Sequence, residues 1–190
     1  MVATFNVNFD FGGTDTTPAT EQNTDGLGPP NLRFKQADDA TIDNSDPMPI
    51  PAAGTEYSRW KQIYLACTVA PDTQVDNIRF FTDGGGFGTG VAVKVGDQFP
   101  TKTDISNAGY EVADVDSEMV AAHTGLTTSS DAFSFTSGAP LSGPSIGESG
   151  SIIDAIGETT NYLVLQMEVG TTASPGNLAD ETFTFRYDEI

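Results

Sequence analysis

Cysteine, histidine and basic side chains are scarce in this chain. With Cys67 as its one cysteine, an intramolecular disulfide is excluded, so the fold must be held by its core and the expected folding compartment is a reducing cytosol. With His123 as its one histidine, general base chemistry has a single imidazole to draw on, and a zinc centre of Cys and His ligands cannot be assembled. Lys and Arg total 8 against 27 Asp and Glu, a formal net charge of −19. Clustered cations are what displace counterions from phosphates and what anionic lipid attracts, so neither nucleic acid nor a membrane surface is an expected partner. No run approaches the roughly 20 apolar residues that span a bilayer. The opening residues, MVATFNVNFDF, lack a basic stretch followed by roughly 7 to 15 apolar residues, so neither a signal peptide nor a transmembrane helix is expected.

Apolar and turn-forming residues are plentiful. A hydrophobic share of 37% with 12 Phe suffices for a core, and 190 residues fit a single domain over 1–190. From Val2 to Phe11, Phe5, Val7, Phe9 and Phe11 alternate with Asn6, Asn8 and Asp10, which predicts a strand with one wet face. Residues 12–54 read mostly as connection, an extended arm or loop. Leu32 and Phe34 mark one short strand within it, and Pro47, Pro49 and Pro51 favour an extended path without ladder hydrogen bonds. Structureless stretches of this length are uncommon unless they have a task. Packing along a neighbouring subunit is one, so deleting 14–30 is expected to weaken attachment and leave the body folded.

Arg59 to Val69 predicts a central strand covered on both faces, with Ile63, Leu65, Cys67 and Val69 on one and Trp60, Tyr64 and Ala66 on the other. Val75 to Thr82, then the glycine-rich turn DGGGFGTG, then Val91, Val93 and Val95 read as a hairpin. Asp116 is placed to cap a short helix ending near Gly125, with a second helical turn at IIDAIG and a strand at Phe133 and Phe135. Tyr162 to Val169 and the closing TFTFRYDEI alternate as strands. Seven or eight strands with almost no helix predict an all-β fold, an antiparallel β-sandwich of jelly-roll or immunoglobulin-like topology with long loops and at most one or two short helices.

Catalytic motifs fail one by one, and no enzyme is expected. The glycines from Gly84 to Gly90 lack the Lys-Ser or Lys-Thr ending of a phosphate loop, and Asp83 would repel phosphate. Gly147-Glu148-Ser149-Gly150-Ser151 misses a nucleophile elbow at its last residue. Cys67 and His123 could act together only with an exposed thiol, whereas Cys67 alternates with core residues, so both read as structural. Asp114, Asp116 and Glu118, and the Asp38, Asp39, Asp43 and Asp46 cluster, offer oxygen ligands for calcium, but neither fits an EF-hand loop and a helix N-terminus or an acidic surface accounts for each. No catalytic, metal or cofactor-binding residue is assigned. Tyr57, Trp60 and Tyr64 could form an aromatic sugar platform; a packed sheet face is the simpler reading. The basic residues Arg33, Lys35, Arg59, Lys61, Arg79 and Arg186 all fall in or beside expected strands, where outward charge blocks edge pairing and also suits an acidic neighbour.

The stretch YSRWKQIYLACTVAPDTQVDNIRFFTDGGG and the closing ETFTFRYDEI resemble small β-sandwich virion proteins of tailed bacteriophages and related viruses, especially capsid decoration or cement proteins. The resemblance covers the strands from Tyr57 to Val95 and the C-terminal strand. It implies a viral structural protein made in the host cytoplasm and placed on the capsid surface of the virion. There it would bind the major capsid protein or another virion protein and stabilise the assembled shell, as a homo-oligomer with a trimer favoured. A phage tail or baseplate component would share these features, and a carbohydrate-binding β-sandwich module is the alternative of a different class.

Overall fold

A computed structural model describes residues 2–23, 32–39, 41, 45–142 and 152–190. Among these are ten strands: β1 (Thr4–Phe11), β2 (Thr20–Asn23), β3 (Thr55–Tyr57), β4 (Lys61–Val69), β5 (Val75–Thr82), β6 (Val91–Gly96), β7 (Ser129–Asp131), β8 (Leu141–Ser142), β9 (Leu163–Gly170) and β10 (Phe183–Glu189). The one α-helix, α1, spans Met119–Ala122. The strands form two antiparallel sheets, a large one in the order β2-β1-β4-β9-β6-β7 with β3 also on β9, and a small one in the order β10-β5-β8. They pack as an all-β sandwich.

Alternation in β1, β4, β6 and β9 sends Phe9, Ile63, Val93, Val95, Leu163, Leu165, Met167 and Val169 inward. Phe80 meets them from β5, with Phe183 and Phe185 of β10 packed alongside; Phe80 lies 5.8 Å from Phe183 and 5.6 Å from Phe185, both edge-on. A second cluster joins Ala3, Leu65 and Cys67 to Val75, Ile78 and Ile153 at the other end of the sandwich.

The face of β1 read as wet is dry: Asn8 and Asp10 are buried, as are Gln62, Tyr64, Tyr162, Val164 and Gln166 on the same side of the large sheet. The connection from Gln98 to Leu126 lies over them as a roof. Tyr110, Ala113, Met119 and Leu126 pack on Trp60, Tyr64, Tyr162 and Val164. Such a roof is non-local, and strand periodicity does not reveal it.

Other local expectations give way for physical reasons. β5 and β6 do not form a hairpin, since β5 pairs with β10 and β8 while β6 pairs with β9 and β7. The glycine loop between them carries the chain from one sheet to the other. Gly90 (φ +78°) passes so close to the next turn that a Cβ would sit 2.3 Å from the Ala173 nitrogen. Asp116 does not cap α1: its carboxylate accepts from the Tyr57 N–H at 3.1 Å, and Glu118 holds the cap position without a side-chain bond. IIDAIG forms no helix, because the Ile153 N–H and C=O pair with Val75 as a bridge. The strand expected at Phe133 and Phe135 is a 3-10 turn over Ala132–Ser134, held by the Asp131 carboxylate on the Phe133 N–H.

Leu32 and Phe34 lie in irregular backbone whose next residue, Lys35, accepts the Arg59 N–H through its carbonyl. Residues 14–23 belong to the body: β2 pairs with β1, and Glu21 accepts from Asn8 and Tyr64. Deleting 14–30 would therefore remove a strand of the large sheet. Residues 24–31 and Asp43 lie outside the described residues.

Candidate association surface

The reactive side chains are separated and sealed. Cys67 is 2% exposed, beneath Ile78 and Ile153, and its thiol donates to the Val69 carbonyl at 3.3 Å. Burial pushes that thiol up, away from the thiolate a nucleophile needs. His123, also 2% exposed, belongs to the roof, its ring 5.8 Å from Trp60. Nδ1 accepts the Gly125 N–H at 3.0 Å, so Nε2 carries the proton and donates to Gln62 Oε1, also at 3.0 Å. Burial lowers its pKa, opposed by the Glu111 carboxylate 3.6 Å from Nδ1. The two residues lie in different clusters.

Asp38, Asp39 and Asp116 of the acidic clusters are spent on internal contacts. Asp38 accepts the Gly12 N–H at 2.7 Å and lies 3.8 Å from Lys61 Nζ, while Asp39 pairs with Lys35 at 2.8 Å and takes the Thr41 N–H at 2.8 Å. Among the described residues no three His, Cys, Asp or Glu side chains converge as a metal site would require. In the glycine loop Asp83 accepts the Gly85 N–H at 2.9 Å, and Phe87 packs edge-on against Phe133. The serine run at 147–151 lies outside the described residues. The sugar platform does not exist: Trp60 is 2% exposed and Tyr64 fully buried, and the Trp60 indole N–H donates to the Glu111 carbonyl at 3.1 Å. Lys35 and Lys61 turn inward rather than out to solvent.

Sequence periodicity missed a buried polar cluster under the roof. Tyr162 donates to the Asp10 carboxylate, Tyr64 donates to Glu21 with Asp10 Oδ1 3.4 Å from the same hydroxyl, and Lys102 Nζ donates to Asn107 Oδ1 at 2.7 Å while lying 4.7 Å from the Tyr64 ring centroid. Burial raises the Asp10 pKa, and the tyrosine donors and Lys102 counter it. Nearby, Gln166 donates to the Ser58 and Ser117 carbonyls, both at 2.8 Å, and accepts the Met119 N–H at 2.7 Å. These bonds fasten the roof.

Among the described residues one side of the sandwich is open. Between β1 and β10 runs a cleft of ≈ 340 Å³ lined by Phe5, Val7, Leu65, Phe183, Phe185 and Tyr187. Beside it Val2 is 76% and Ile190 64% exposed. β1 is tied to β10 by side chains: Glu189 accepts the Ala3 N–H at 3.1 Å, Tyr187 donates to the Ala3 carbonyl at 3.1 Å, and the Phe5 and Tyr187 rings lie 4.9 Å apart. Among the described residues β10 pairs only with β5, so its outer edge is a sheet edge. No family model, curated protein or solved structure matches the chain.

Proposed function

We propose that this chain is a structural protein that works by association, a virion protein of the capsid decoration kind that binds an assembled shell and stabilises it. The observation that carries association is the open β1/β10 side, where an apolar cleft, exposed Val2 and Ile190 and an uncovered strand edge lie together on a chain of net charge −19. Contiguous apolar surface on a charged protein marks a contact site, and an edge strand is a template for pairing. The shell as partner rests on the resemblance carried by Tyr57 to Val95 and the closing strand. A sandwich closed by a fastened roof would bring a preformed surface to its partner and lose little conformational entropy on docking. Binding only the assembled state would stabilise the shell by mass action.

Cosedimentation tests this. Shells assembled from the major capsid protein it is proposed to decorate should carry it down in a fixed ratio, and V2D with I190D should lower that ratio while the chain stays folded. A chain left in the supernatant at all shell concentrations would contradict the proposal.

A further inference from the structure

Charges on the outer face of the small sheet are arranged in a way its own strands do not satisfy. The register of β10 on β5 sets Arg186 directly opposite Arg79 and Asp188 opposite Asp76, like against like in both rows. Like charges directly opposite each other on one face destabilise a pair of strands. Relief within the chain is partial: Asp188 lies 3.9 Å diagonally from Arg79 and accepts from Asn77 Nδ2, Asp76 accepts from Gln74 Nε2 at 3.3 Å, and Arg186 lies 5.6 Å from the Phe81 ring centroid. β10 presents these rows at an edge with no strand beyond it among the described residues.

We propose that this edge pairs with the same edge of a second copy, β10 antiparallel to β10 about a two-fold axis at Tyr187. Two arguments select this occupant and this register. A two-fold arrangement with both outer faces on one side pairs residues whose numbers sum to an even total, so the axis falls on a residue. An axis at Arg186 would add a third like-charge contact. An axis at Tyr187 sets Arg186 opposite Asp188 of the second copy, and each row then reads two positive charges followed by two negative ones across four strands, β5 and β10 of one copy and β10 and β5 of the other.

The inference rests on the reading of the chain as an association protein, and charge reversal tests it separately. Sedimentation velocity at about 0.15 M salt and about 0.1 mM chain should give twice the 20.0 kDa mass of one chain. R186D and D188R should each weaken the dimer at least about tenfold, and R186D with D188R should restore it. R186D also replaces the like-charge Arg186/Arg79 pair by an opposite one, so its fold keeps its melting temperature or gains, whereas D188R gains Asp76 but forfeits the Arg79 and Asn77 contacts of Asp188, so its dimerisation is read only at temperatures where its own melting curve shows it folded. A monomeric wild type, or a dimer indifferent to both single reversals, overturns β10 pairing. Loss of shell cosedimentation with the charge-dependent dimer intact overturns the shell reading instead.

Discussion

Gln166 shows how much of this fold depends on single buried polar side chains. Fully buried on β9, it satisfies one carbonyl and one N–H of the roof and the Ser58 carbonyl between β3 and β4. Q166L should cost about 3 kcal/mol in urea unfolding, because several backbone groups would be left dry and unpaired. His123 adds a pH dependence. Its folded pKa lies below the ordinary value of 6.5, so between the two the unfolded chain binds the proton and the folded chain does not. Its contribution is therefore full above pH 6.5 and is lost as pH falls towards the folded value. Against H123Q, the wild-type melting temperature should drop further between about pH 7 and pH 5; equal drops would show that the imidazole titrates alike in both states. Asp10 has the opposite sign, its raised folded pKa favouring the fold as pH falls through that value. Neither role is visible in sequence, where Asp10 reads as a wet strand position.

Strand existence was legible in β1, β4, β9 and β10 because each alternates over seven or more residues with a dense inner face. Phe80 is the clearest core position, fully buried between Phe183 and Phe185. F80A should lower stability by about 3–5 kcal/mol in the same unfolding measurement, as large-to-small changes in a dense core do. Pairing was less legible than existence. The β5–β6 connection is short enough for a hairpin, and only the positive φ values of Gly84, Gly86, Gly88 and Gly90 and the close pass at Ala173 turn it into a crossing between sheets. Short elements such as β7 and β8 carry no periodicity of their own and exist by pairing with β6 and β5.

At the scale of the molecule, net charge and shape pull in different directions. A charge of −19 keeps copies apart at long range, yet the open β1/β10 side, with its cleft and its self-complementary rows of arginine and aspartate, offers a short-range contact that charge of one sign would not favour unless paired. The expected role of Arg186 and Arg79 at a strand face was legible from their place in alternating segments; the Asp188–Asp76 pairing beside them needed the β5 bulge at Asn77 (φ 53°). The central claim, that this sandwich docks on an assembled protein surface, is tested most directly by comparing its binding to assembled shells and to unassembled capsid protein at equal subunit concentration. Saturable binding to shells alone, with a raised shell melting temperature, is the predicted result. Equal binding to both forms, or to neither, would contradict it.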